Sequence, residues 1–127
     1  MTGPSLVVTE ALLHVAREAS LGADALAVAA RRSAVEALTY SAQRGDERAL
    51  AVLVSSLQDW HGSVRQAATE ALVQVAQKGD RRVVYARLLA VRALAPLARS
   101  GNKKAVETVI AGLEDAHQAV RQAAFEE

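Results

Sequence analysis

The feature that most constrains this chain is that it repeats itself. Residues 30–46, ARRSAVEALTYSAQRGD, return as VRQAATEALVQVAQKGD at residues 64–80 and as ARLLAVRALAPLARSGN at residues 86–102. Shorter copies cover residues 10–20 and 120–127. One shared column holds arginine and another a closing glycine; the members are Arg31, Arg65, Arg87 and Arg121, and Gly45, Gly79 and Gly101. Repetition at this spacing predicts stacked copies of one supersecondary unit.

Each copy has the apolar spacing of an amphipathic helix. In residues 64–80 the stripe consists of Val64, Ala67, Ala68, Ala71, Leu72 and Val75. A second amphipathic stretch precedes a copy at residues 46–57 and again at 103–113, and Asp59 and Asp115 follow these stretches. We expect both carboxylates to cap the next helix, and the closing glycines to end helices in the left-handed conformation. The complete unit is then helix, turn and helix in about 34 residues.

The units differ in length. The column that runs from Glu10 to Glu126 advances by 26, 34, 22 and 34 residues. The short steps leave no room for two helices, so we expect one longer helix over about 23–43 and another over 82–99, with Pro96 kinking or tightening the second. Two complete units therefore alternate with abbreviated ones, and the boundaries fall at about 5–20, 21–45, 46–79, 80–101 and 102–127.

The composition supports a single all-α domain of about seven helices. Hydrophobic residues make up 51% of the 127, but only four are aromatic, and alanine, leucine and valine dominate the rest. Small side chains on good helix formers favour closely packed helices over sheets. The last helix stops at Glu127, about ten residues before its other copies do. We therefore expect a piece of a longer solenoid, or a partner that covers this edge.

The repeat resembles a known family. Residues 57–72 contain Leu-x-Asp followed by Val-Arg-x-Ala-Ala-x-x-Ala-Leu, and residues 113–124 repeat the motif. This is similar to the HEAT-repeat signature, and most similar to the alanine-rich HEAT-like type of phycobilisome-lyase-related proteins and many scaffold proteins. The resemblance implies a short right-handed α-solenoid of antiparallel helices. It also implies that the aspartate and arginine columns pair along the stack.

The resemblance assigns particular pairs to this ladder. Asp59 is expected to pair with Arg65, and Asp115 with Arg121. The abbreviated units keep the arginine of the column but lack the aspartate. The ladder is therefore expected to be interrupted at Arg31 and Arg87.

The residue inventory argues against catalysis. The chain contains no cysteine, and its histidines, His14, His61 and His117, are far apart in sequence. It lacks an HExxH motif and the histidine–glutamate pairs of HEAT-repeat di-iron hydroxylases. We expect a non-catalytic protein without a metal or other cofactor.

Net charge and hydropathy limit the binding partners and the cellular location that the sequence predicts. Fifteen basic residues oppose 14 acidic ones, which removes the electrostatic basis for general binding to nucleic acids. No apolar run approaches the ~18 residues of a membrane span, and the N-terminus lacks the features of a secretory signal. We expect a soluble chain and favour an intracellular location, cytoplasmic or organellar. Peripheral association with a membrane complex stays open.

One basic segment is a candidate binding surface. No acidic residue occurs between Asp80 and Glu107, while basic residues occur at Arg81, Arg82, Arg87, Arg92, Arg99, Lys103 and Lys104. On one helix, Arg81, Arg92 and Arg99 would project within about 40° of one another. Such a face could bind an acidic protein, a phosphate-bearing ligand or a nucleic-acid backbone, but it is also typical of a solvated helix face. Trp60 is a candidate anchor for a partner, with packing against a neighbouring unit as the alternative.

The leading hypothesis is a protein–protein interaction scaffold or adaptor, as a subunit of a larger assembly. The first alternative is binding of nucleic acid or an acidic ligand through residues 81–104. The second is a lyase-like or chaperone role for a tetrapyrrole-binding protein, which rests on the family resemblance alone.

Overall fold

A computed structural model describes residues 9–14, 25–80, 82–113 and 118–126. Every regular element within these residues is an α-helix, which confirms the all-α prediction. The first helix, α1, covers residues 9–14. The others are α2 (Ala25–Gln43), α3 (Glu47–Ser56), α4 (Gly62–Lys78), α5 (Val84–Arg99), α6 (Lys103–Leu113) and α7 (Gln118–Glu126). The two abbreviated units are single long helices, α2 and α5, as predicted, and α5 continues through Pro96 to Arg99.

Polar side chains cap the starts of α3, α4 and α6. The carboxylate of Asp46 accepts hydrogen bonds from the backbone N–H groups of Arg48 and Ala49 at the start of α3. The Asn102 side chain accepts the N–H of Ala105 in α6. The prediction that Asp59 caps α4 is wrong, because the cap is His61, whose Nδ1 accepts the N–H of Ser63 at 3.1 Å.

The closing glycines differ in conformation. Gly45 and Gly101 both have φ of 95°, the left-handed conformation that ends a helix at a glycine. Gly79 has φ of −67° and an extended ψ, so the left-handed ending predicted there is wrong. The chain leaves α4 in an extended conformation, and the N–H of Asp80 then donates to the carbonyl of Gln43 at the end of α2.

Among the described residues, one main apolar core extends from α1 to α6, and Val91 and Ala124 form a second, smaller cluster between α5 and α7. The helix α2 packs on α3 and α4, α4 on α5, and α5 on α6 and α7. The largest fully buried apolar side chains are Leu13, Leu38, Leu50, Leu53, Leu72, Leu94, Val35, Val64, Val75 and Val91. Buried alanines such as Ala68 and Ala71 lie between these leucines and let neighbouring helices approach closely.

The helices repeat in threes. The starts of α3 and α6, Glu47 and Lys103, are 56 residues apart, and so are the starts of α4 and α7, Gly62 and Gln118. The ends of α2 and α5 have the same separation. One full unit and one abbreviated unit therefore form a three-helix block, α2–α4, that recurs as α5–α7. The recurrence provides an internal comparison for each side chain of the first block.

Candidate protein-binding surfaces

The turn between α3 and α4 is held to α2 by a charged pair. Arg31 Nε lies 2.7 Å from Oδ1 of Asp59, and Nη2 lies 3.1 Å from Oδ2. Both side chains are nearly enclosed, at 4% and 11% exposure. Burial acts to raise the pKa of Asp59, but the hydrogen bonds from Arg31 and from the N–H of His61 outweigh it and lower the pKa below its ordinary value.

The predicted pairing of Asp59 with Arg65 is wrong, and so is the interruption of the ladder at Arg31. Arg65 instead donates from Nη1 to the carbonyls of Asp59 and Trp60, at 2.8 and 2.9 Å. An arginine of the abbreviated unit thus binds the aspartate of the unit that follows it. Arg87 is buried in the second block. Asp115 and the side chain of Arg121 lie outside the described residues.

Trp60 projects from this turn into solvent. It is 58% exposed, with the Arg31 guanidinium 6.0 Å from its ring centroid and the His61 ring edge-on at 5.3 Å. The residue 56 positions later is Ala116, whereas the arginine, aspartate and histidine around it recur as Arg87, Asp115 and His117. The second block therefore has the same three neighbouring residues in its sequence but lacks the tryptophan. This difference argues that Trp60 contributes to the protein surface rather than to the packing of the fold.

The basic segment does not form one surface. Because α5 begins at Val84, Arg82 precedes the helix and lies 92% exposed, 3.5 Å from Asp80. Arg81 lies outside the described residues. The predicted face of Arg81, Arg92 and Arg99 therefore falls partly outside the described residues, and Arg82 lies before α5 rather than on it. Arg92 lines a groove between α3 and α5, whereas Lys103 and Lys104 line another groove between α4 and α6. Arg99 lies in the last turn of α5.

The first groove lies between α4 and α6 and has a mixed lining of charged, polar and apolar side chains. It has a volume of about 540 Å³. Lys103, Lys104 and Arg65 contribute positive charge, and Glu70 opposes it, with its carboxylate 3.5 Å from Nζ of Lys104. The internal ion pair offsets part of the charge that an anionic ligand would meet.

The second groove lies between α3 and α5 and is mainly apolar. It is an open trough of about 660 Å³, and its lining residues are Glu47, Ala51, Val54, Ser55, Tyr85, Leu88, Leu89 and Arg92. The hydroxyl of Tyr85 donates to the carbonyl of Gly45, immediately before α3, at 3.3 Å. Both helices therefore begin at the same end of this groove. Burial and the nearby carboxylates of Glu47 and Asp46 raise the pKa of Tyr85, which keeps its hydroxyl protonated as a donor.

Of the residues that line the apolar groove, Arg92 alone was among the predicted binding residues, although the sequence carries a signal for the apolar ones. The position after the column arginine is Arg32 in α2, Gln66 in α4 and Gln122 in α7, but Leu88 in α5. The next position holds Ser33, Ala67 and Ala123, but Leu89 in α5. Both leucines lie off the buried stripe of α5, which consists of Ala86, Arg87, Ala90, Val91, Leu94 and Ala95. Two leucines where the other copies have polar or small residues indicate an added apolar surface.

Two further features are absent from the part of the chain that the structure describes. No three histidine, aspartate or glutamate side chains there come together as metal ligands. None of the described helices has the length and hydropathy needed to cross a membrane. Comparison with protein-family models and with curated proteins finds no significant match to this chain.

Proposed function

We propose that this chain is a non-catalytic protein-binding module, a short right-handed α-solenoid of antiparallel HEAT-like helices that acts as a scaffold or adaptor in a larger assembly. The apolar groove between α3 and α5 is the binding site. The observation that carries the proposal is the pair Leu88 and Leu89, since they add apolar surface that the buried face of α5 does not use.

The geometry of the groove favours a protein segment over a small ligand. Small-molecule sites usually enclose most of their ligand, whereas this groove is widely open to solvent. Leu89 and Tyr85 are both more than one-third exposed, so an apolar partner would remove substantial surface from water. The groove is formed by the two helices α3 and α5, which hold its lining side chains in place.

Nucleic-acid or acidic-ligand binding is less well supported. The basic side chains proposed for it are divided between two grooves and the turn at Arg82. A phosphate backbone is bound tightly when several cations follow one path, because each neutralised phosphate releases counterions. The separation of these cations removes that advantage.

A peptide-display selection tests the proposal. Random 14-residue peptides are selected on the wild-type protein, and recovered sequences are then measured against three variants. Leu89→Asp and Ala51→Glu place a charge in the groove and should weaken binding at least tenfold, since an unpaired carboxylate would be buried beneath the peptide. Leu26→Asp is the matched control, because Leu26 is an exposed leucine of α2 that does not line the groove.

Two outcomes would overturn the proposal. One is that no peptide binds more tightly to the wild type than to Leu89→Asp and Ala51→Glu. The other is that Leu26→Asp weakens binding as much as the groove variants do. Thermal unfolding followed by circular dichroism shows that each variant is folded before it is compared.

A further inference from the structure

We infer that the groove between α3 and α5 binds one amphipathic helix of a partner protein, running opposite to α3 and α5, with an acidic first turn beside Arg92 and a basic last turn beside Glu47. This inference rests on the proposed function, because it specifies the partner of the same groove. The partner is a single helix with acidic residues at its start and basic residues at its end.

The length of the groove fits a short helix. Glu47 is the first residue of α3 and Ser55 lies eight residues later, so the α3 wall is about 12 Å long. Tyr85 and Arg92 are seven residues apart on α5, or about 10 Å. A partner helix of three turns spans about 16 Å, which covers both walls and extends past each end. Apolar side chains at positions i, i+3, i+4 and i+7 would lie on Ala51, Val54, Leu88 and Leu89.

The two ends of the groove carry opposite charges. Tyr85 is at the end where α3 starts, because its hydroxyl reaches the carbonyl of Gly45. Glu47 is therefore at the Tyr85 end, and Arg92 is about two helical turns away at the Ser55 end. Both charged side chains are exposed at the groove. A guanidinium has five N–H donors, so Arg92 can donate hydrogen bonds to an incoming carboxylate while it keeps an interaction within the chain.

Charge complementarity sets the direction of the bound helix. Acidic residues are favoured in the first turn of a helix and basic residues in the last turn, because they complement the helix dipole. A helix of this common kind matches the groove when its N-terminus lies beside Arg92 and its C-terminus beside Glu47. Since α3 and α5 both start at the Glu47 end, the bound helix runs against both of them.

Two model peptides of identical composition test the inference. Both are stapled 14-residue helices with leucines at one i, i+3, i+4, i+7 face. One has two glutamates in its first turn and two lysines in its last, and the other has one glutamate and one lysine at each end, so that it matches the charges of the groove in neither direction. Fluorescence anisotropy in low salt should give a dissociation constant about tenfold smaller for the first peptide. The preference should disappear at 1 M NaCl, where the Debye length is about 3 Å.

The charge-exchanged variant Glu47→Arg/Arg92→Glu supplies the reciprocal measurement and should bind the first peptide in the reverse direction. A nitroxide on the N-terminus of the peptide should then broaden the amide signal of Ser55 in the wild type but that of Tyr85 in the variant. The same direction in both proteins would overturn the inference. Equal binding of both peptides to the wild type, abolished by Leu89→Asp, would overturn the inference and leave the proposed function standing. Failure of both peptides and of every selected peptide to bind the groove would overturn both. Self-association of the protein that Leu89→Asp abolishes would identify a second copy as the occupant and would also overturn the inference.

Discussion

Arg31 and Asp59, 28 residues apart in sequence, form a two-point contact that fastens the α3–α4 turn to α2, with Nε–Oδ1 and Nη2–Oδ2 distances of 2.7 and 3.1 Å. Removal of one member of such an enclosed pair leaves the other charge in a poorly solvated place. We expect Arg31→Ala to lower the free energy of unfolding by about 3 kcal/mol. Urea unfolding measures the change. Arg32→Ala, on the exposed neighbour, should change stability by less than ~0.5 kcal/mol, and equal effects of the two variants would refute the structural role of the pair.

The same pair makes stability depend on pH. Because the folded protein lowers the pKa of Asp59, the carboxylate contributes stability above its unfolded pKa, about 3.9. That contribution is lost as the pH falls through the folded pKa. Unfolding free energies measured from pH 7 to pH 2.5 should therefore decline less steeply below pH ~4 in Asp59→Asn than in the wild type, although the variant is less stable at pH 7. Identical slopes would show that Asp59 is not the titrating group.

The Trp60 side chain should contribute little to the stability of the fold. We expect Trp60→Ala to cost less than about 1 kcal/mol of unfolding free energy, since the ring is mostly exposed and the corresponding residue of the second block is Ala116. Leu72→Ala, at a fully buried leucine, should cost about 2–5 kcal/mol. As the sole tryptophan, Trp60 also reports its own environment, and its fluorescence should be strongly quenched by iodide. A quenching-resistant tryptophan would contradict its exposed position.

The turns after α2 and α5 offer a matched pair of glycine substitutions. Gly45 and Gly101 share a φ of 95°, so an alanine at either is strained by about 1 kcal/mol. A Cβ at Gly45 would lie 2.7 Å from Cγ1 of Val83, whereas a Cβ at Gly101 would meet nothing within 4 Å. Gly45→Ala should therefore destabilise more than Gly101→Ala in thermal unfolding, and Val83→Ala should reduce that excess. Equal melting temperatures for the two single variants would contradict the close approach.

The repeat pattern predicted the helices well but predicted their partners poorly. Apolar spacing and glycine positions located α2 to α6 to within about two residues, because helix periodicity is a local property. The partner of Asp59 depends instead on how α2 packs beside α4. The pairing with Arg65 came from the family resemblance, which does not specify that packing. For the basic segment, the start of α5 was placed two residues early, at Arg82 instead of Val84, so Arg82 lies before the helix rather than on it.

The apolar groove was partly predictable. Leu88 and Leu89 interrupt columns that are polar or small in the other copies, and this departure is visible in the sequence. The groove also needs α3 and α5 to be far enough apart to leave a trough between Ala51 and Leu88, and no residue pattern specifies that separation. Comparison of repeat columns can therefore locate added surface before a structure is known, whereas the shape of that surface comes from packing.

Methyl NMR of the wild-type protein, titrated with the tightest peptide from the selection, tests the binding site most directly. The methyl resonances of Val54, Leu88 and Leu89 should shift and saturate with one dissociation constant, because these side chains line the groove. Those of Leu26 and Ile110, which are exposed elsewhere, should stay in place. Shifts centred on residues around Trp60 or Lys104, with the groove methyls unmoved, would contradict the assignment of the α3–α5 groove as the binding site.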